Sequence, residues 1–203
     1  MSDQSAARIC NQALSLCGES AQITALTDES LSARLCSQFL DDTRRDILAC
    51  GHAWSFATTT AALVRNATTP LKPWVYAWAP PDKMVKPLHL ADERLQRLPE
   101  QAYPFLVAPT SDAQALEIYT QVDPATLVYV RDVDNYGIWT SKARNALAAA
   151  LAVKLIGPLK GDLQTRSYIA QVASEALGEA MIDDYQRRAD GPNIPSRYEA
   201  ARG

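Results

Sequence analysis

The sequence predicts an α+β fold, mainly α: a four-helix bundle with a β-rich insertion between the second and third helices. Three observations lead there. Apolar residues recur at steps of three and four in two stretches before Ala57 and two after Gly137, the spacing of one helix face. Most of the twelve prolines fall between Pro70 and Pro124, where no amphipathic helix of useful length survives them. Within that proline-rich stretch, aromatic and small or β-branched residues alternate with a period of two, as in strands. The expected organisation is residues 1–57 and 138–189 as the bundle, 58–137 as the insertion and 190–203 as an extended tail.

Ser2 or Asp3 can cap the first helix, whose face is Ala6, Ile9, Cys10, Ala13, Leu14 and Cys17; Gly18 ends it. The second helix is expected from Asp28 to Cys50, about 34 Å long at about 1.5 Å per residue. Leu31, Leu35, Phe39, Thr43 and Ile47 form its expected inward stripe, flanked by Cys36, Leu40 and Cys50. Its polar side carries Arg34, Gln38, Asp41, Asp42, Arg45 and Asp46. Thr27 or Asp28 can cap its start, and Gly51 can supply a left-handed residue at its end. Trp54 and Phe56 follow two residues apart, so an extended chain sends both to one side.

In the insertion, Trp74, Tyr76 and Trp78 alternate with Val75 and Ala77. Met84 to Leu90 reads as a strand that Pro87 confines to an edge or bulge. Leu116–Tyr119 and Leu127–Val130 are the strongest strand signals, and the Asp123-Pro124 turn between them suggests a hairpin. Helix returns at Ile138 or Ser141, with Ala143, Ala146, Leu147, Ala150, Leu151 and Leu155 on one face and small residues on much of the rest. A helix apolar nearly all round is buried on more than one side; Gly157-Pro158 is expected to stop it. The last helix begins near Asp162, with a stripe of Ile169, Val172, Ala173, Ala176, Leu177, Ala180 and Met181 that Tyr185 extends. The polar residues after Arg188 have little reason to fold alone and are expected to be mobile until Ile194, Arg197 and Tyr198 anchor them on a partner.

The 203 residues, 47% of them hydrophobic, suffice for a sizeable core. A net charge of −3 argues against a protein that grips nucleic acid by its phosphates, which needs clustered Lys and Arg. No apolar run reaches the roughly 20 residues of a membrane span, so no membrane partner is expected. The N-terminus lacks the basic and apolar regions of a secretory signal. Cys10, Cys17, Cys36 and Cys50 have spacings that disfavour disulfides along their helices, so reduced thiols are expected.

No catalytic motif emerges, and no catalytic, cofactor-binding or metal-ligating residue is assigned. His52 and His89 sit in unrelated contexts, and Cys50 with His52 lacks the tight spacing of a metal site. Asp82, Asp92, Glu93, Glu100 and Glu117 read as solvated acids before any glycosidase pair. Asp132 and Asp134 lack the rest of a calcium loop. Arg44-Arg45 and Arg187-Arg188 lie beside aspartates and read as solvated helix faces. Trp54, Trp74, Trp78 and Trp139 stand at element junctions, where core packing competes with interface anchoring. The candidate interface set is therefore Trp54, Phe56, Trp74, Tyr76, Trp78 and Trp139, with Ile194, Arg197 and Tyr198 in the tail.

The order of several short motifs carries a resemblance. Ala13-Leu14 and Gly18 lead into Ile23-Thr24-Ala25-Leu26-Thr27-Asp28, then Ser32-Ala33-Arg34-Leu35-Cys36. Asp41 or Asp42 with Arg44 or Arg45 follows, and then Trp54-Ser55-Phe56-Ala57. The stretch Trp74 to Trp78 before Pro80-Pro81-Asp82, and the strand Leu127 to Val130 before the return helix, continue the pattern. The chain thus resembles the tail tubular protein A family, the head-to-tail adaptors of short-tailed bacteriophages, over most of its length apart from Ala91–Ala113. The resemblance implies a structural virion protein without enzymatic activity or cofactor, assembled in the bacterial host cytoplasm and located at the head–tail junction. It implies a ring, of twelve subunits in that family, whose partners are the portal protein and the tail nozzle protein. Double-stranded DNA would pass through its lumen without sequence-specific binding. Two alternatives are a non-viral helical protein-interaction module and, less favoured, a virion-associated cell-wall hydrolase.

Overall fold

A computed structural model describes residues 2–20, 22–91, 103–110, 112–160 and 163–189. Among them are four helices and two antiparallel sheets, a mixed α+β chain. The chain divides into two compact units, Met1–Arg44 with Asn135–Gly203, and Arg45–Asp134. The division falls inside the second helix, upstream of the boundary expected after Ala57.

In the helical unit, α1 (Ser2–Leu16) buries Ala6, Ile9, Cys10, Ala13 and Leu14, and Cys17 just beyond it, as their spacing predicts. Gly18 ends it at φ 74°, with Glu19 N–H donating to Leu14 O and Gly18 N–H to Ser15 O, both at 2.9 Å. This paired closure needs a left-handed residue. Lys160 Nζ donates to Gly18 O at 2.9 Å, and a Cβ on Gly18 would lie 2.8 Å from that nitrogen. Asn11 holds the following loop through both its amide atoms, accepting from Ile23 N–H and donating to Ile23 O.

Helix α2 (Leu31–Ala49) starts later than Asp28. Its cap is Ser30, whose hydroxyl accepts from Ala33 N–H at 3.1 Å. Asp28 instead closes the preceding turn, accepting from Thr24 N–H and Ala25 N–H, which hold its carboxyl below the usual range. The buried stripe is Ala33, Cys36, Leu40, Thr43, Arg44, Ile47 and Leu48. It is turned from the expected stripe by about one residue: Leu31 is 55% exposed, and Leu35 and Phe39 are half-buried. Two satisfied polar groups permit that turn. Thr43 Oγ1 donates to Phe39 O at 2.7 Å, and Arg44 meets Asp41 at 2.6 Å and the Tyr136 hydroxyl at 3.3 Å. Arg44 is thus a buried residue, not part of a solvated arginine pair.

A short 3-10 turn (Tyr136–Ile138) precedes α3 (Ser141–Lys160). Thr140 caps α3, its hydroxyl accepting from Ala143 N–H at 3.1 Å. Leu147, Leu151, Leu155 and Ile156 are fully buried, each stabilising by roughly 1.5–3 kcal/mol. α3 packs against both α1 and α4, which explains why apolar residues surround it. It runs through Gly157 and Pro158 rather than stopping there. Pro158 has no N–H to give the carbonyl four residues back, a loss confined to the C-terminal end because only two helical residues follow it.

Helix α4 (Leu163–Ala189) buries Ile169, Ala180 and Asp184, but Val172, Ala173, Ala176, Leu177 and Met181 are only half covered. Tyr185 points away from the stripe it was expected to extend and is 70% exposed. The tail at 190–203 lies outside the described residues.

The second unit holds one sheet of β1 (Thr58–Ala62), β7 (Thr126–Arg131) and β4 (Met84–Ala91), in the order β1-β7-β4. The other contains β2 (Val64–Arg65), β3 (Tyr76–Ala79), β6 (Leu116–Thr120) and β5 (Phe105–Pro109), in the order β2-β3-β6-β5. One core cluster joins them: Trp78 and Ile118 from the second sheet against Leu90, Leu127 and Tyr129 from the first. β6 and β7 therefore do not form the expected hairpin. Ile118 and Leu127 enter the same core cluster from different sheets, and Leu63 N–H donates to Ala125 O on the crossing segment. β4 is an edge strand whose register shifts between Pro87 and His89, the position that Pro87 demands.

Candidate interaction surfaces and a basic cleft

The sequence-selected aromatics fall into three groups. Trp54 is fully buried, its Nε1 donating to Ile47 O at 2.8 Å, with the Phe56 ring centroid 5.6 Å away. Phe56 and Trp74 are half-buried. Tyr76 and Trp78 lie 6.2 Å apart, and the Arg65 guanidinium stands 4.7 Å over the Tyr76 ring. Trp78 is buried, and its Nε1 is without a hydrogen-bond partner among the described residues. Trp139 is buried against Tyr136 at 5.8 Å. Within the single chain, Trp54, Trp78 and Trp139 hold cores and present no open face. Ile194, Arg197 and Tyr198 lie outside the described residues.

The open apolar groups are others. α4 exposes Tyr168, Ile182 and Tyr185, the first two separated by two heptads and so on nearly the same side. The β-rich unit exposes Val64, Leu71, Val75, Leu106 and Leu116. No spacing rule singles out these residues, because exposure depends on what other elements cover.

The titratable groups are mostly committed to structure. Glu117 is buried and accepts from Asn66 Nδ2 (2.8 Å), Thr68 Oγ1 (2.6 Å) and the Tyr119 hydroxyl (2.7 Å). Burial pushes its carboxyl up, but the three hydrogen bonds prevail and hold it below the usual range. The carboxylate in turn pushes Tyr119 up to about 12. A general acid needs the opposite shift, and Glu117 is a buried acid rather than the solvated one expected. Asp132 pairs with Arg45 at 3.1 Å and Asp134 with Lys83 at 3.2 Å. No group of three or more His, Cys, Asp or Glu that could hold a metal ion occurs among the described residues. All four cysteines are free. Cys10 and Cys36 are hydrogen-bonded thiols, and that contact and burial push Cys10 up; burial pushes Cys17 up to about 11. Asp92, Glu93 and Glu100 lie outside the described residues.

A cleft of about 340 Å³ opens in the helical unit. Ser5, Arg8, Ile9 and Gln12, at helical spacing on α1, line one side. Ser141, Arg144 and Asn145 at the start of α3 line the other, with Tyr136 and Gly137 between. Gln12 Nε2 donates to Asn145 Oδ1 at 3.1 Å across it. Arg144 Nη1 donates to Tyr136 O at 3.2 Å and Trp139 O at 3.3 Å. Among the described residues, neither Arg8 nor Arg144 pairs with a carboxylate, and none of those that line the cleft is acidic. Neither arginine stands out in the sequence, since each is single and the two are far apart in the chain. The steps of three and four between Ser5, Arg8 and Gln12 on α1 are the one local signal of a polar face there.

No protein-family model matches the chain, and no curated protein matches it. No described helix is long and apolar enough to cross a membrane.

Proposed function

We propose that the protein is a structural adaptor at the head–tail junction of a short-tailed bacteriophage. In this reading its helices form one four-helix bundle with the strands as an insertion. Copies close into a ring, twelve by the family pattern, between the portal and the tail nozzle protein, and DNA passes through without base-specific contacts. The observation that carries the reading is the order of motifs from Ala13 to Val130, which resembles the tail tubular protein A family.

Two features support it. Tyr168, Ile182 and Tyr185 on α4, and Val64 and Leu116 in the other unit, leave apolar surface open on more than one element. A closed ring joins two different faces of each subunit, so it needs more than one such surface. The net charge of −3 is compatible with a conduit that does not hold DNA.

The test is to mix the purified protein with portal rings and image the particles, with sedimentation in parallel. The expected result is a monomer or weak oligomer alone and a closed ring on the portal. Failure to join the portal at micromolar concentration would overturn the adaptor reading and leave a helical interaction module in its place.

A further inference from the structure

We propose that the cleft between α1 and the start of α3 binds the side-chain carboxylate of an acidic peptide segment. This goes beyond the adaptor reading and does not rest on it. Arg8 and Arg144 both line one concave space of about 340 Å³, and neither has a carboxylate partner among the described residues. Other arginines of this net-acidic chain are paired, Arg44 with Asp41, Arg45 with Asp132 and Arg187 with Asp183, and Arg34, Arg131 and Arg166, which are not, line no such cleft among the described residues. The planar fork of arginine matches a carboxylate through two parallel hydrogen bonds. Arg144 is already oriented by the carbonyls of Tyr136 and Trp139, so little side-chain freedom is lost when it binds. Ser141 places the first turn of α3 at the same spot, where the helix dipole favours a negative charge.

The other lining groups favour a peptide. The Gln12 and Asn145 amides can pair with a peptide group, and Ile9 and Tyr136 offer apolar contact to the methylenes of a Glu side chain. A nucleic acid would call for a run of cations tracking successive phosphates. The cleft supplies two.

The test is a titration of the full chain with an N-acetylated, C-amidated peptide Gly-Ser-Glu-Gly-Ser, followed by the arginine Nε–Hε resonances. The controls are its Gln counterpart, inorganic phosphate and a short DNA duplex. The Glu peptide should shift the Arg8 and Arg144 signals saturably, with the Gln peptide about tenfold weaker or worse, since a charged acceptor is lost. Arg8→Gln should weaken binding of the Glu peptide about fivefold or more without altering the fold, because its side chain is exposed. Arg144→Gln should weaken it too, and Arg144→Lys should not restore it, because Lys lacks the fork. Equal binding of the Gln peptide, tighter binding of phosphate or duplex, no shift of the arginine signals, or an unaffected Arg8→Gln variant would each overturn the proposal. None of these outcomes bears on whether the protein joins a portal.

Discussion

The two units treat charge in opposite ways. The β-rich unit closes around its buried carboxylate: Glu117 has three donors and no access to solvent. The helical unit leaves Arg8 and Arg144 lining an open cleft without a counter-charge among the described residues. A buried charge must have its hydrogen bonds met inside the fold, because desolvation is costly. An exposed charge carries no such demand and can be left for a ligand. The first arrangement marks structure, and the second marks a place where structure is incomplete.

That difference can be broken at its strong end first. Glu117→Ala should lower unfolding stability by about 2–3 kcal/mol, because buried Tyr119 loses its acceptor while Asn66 and Thr68, less covered, can turn to water. Glu117→Gln keeps one oxygen and should cost about 1–2 kcal/mol. Urea midpoints read both, and a loss below about 1 kcal/mol for the Ala variant would mean the network is solvated.

Helix α2, which runs through both units, sharpens the point next. Leu40→Ala should cost about 2–5 kcal/mol as a fully buried truncation. Phe39→Ala, half-buried, should cost about 1–2 kcal/mol despite its larger side chain. The reverse order in denaturant titrations would restore the stripe expected from spacing alone.

The pH dependence comes third. Glu117 titrates below its ordinary value of 4.5 in the folded chain, so its contribution is full above about pH 4.5 and is lost as pH falls through the lower folded value. Tyr119 is raised from 10.0 to about 12, so its contribution is full below about pH 10 and is lost as pH rises towards 12. The stability difference between the native chain and Glu117→Gln should therefore be flat between about pH 4.5 and pH 10 and shrink on both sides. A steady slope across that window in thermal melts would show that other groups govern it.

The smallest effect belongs to the open cleft. Arg8→Gln should change stability by no more than about 0.5 kcal/mol, since Arg8 has no partner among the described residues to lose. A melting temperature lowered by many degrees would place Arg8 with Glu117, as a structural charge.

The sequence by itself determined the local elements. The Ala6 to Cys17 stripe, the apolar surround of Leu147 and Leu151, the Gly18 stop and the edge position of Pro87 all follow from the residues within a few positions of each. Helix spacing and backbone restrictions act over short stretches of chain, so they are legible there. Tertiary structure alone decided what depends on distant partners. It turned α2 so that Arg44 goes in and Leu31 comes out, because Tyr136 supplies a hydroxyl to Arg44. It sent β6 and β7 to different sheets, from which Ile118 and Leu127 enter one core cluster. It buried Glu117 beneath Asn66 and Thr68, and it brought Arg8 and Arg144 to one cleft. No periodicity encodes a meeting between residues so far apart, since each position fixes its own direction but not what stands opposite it.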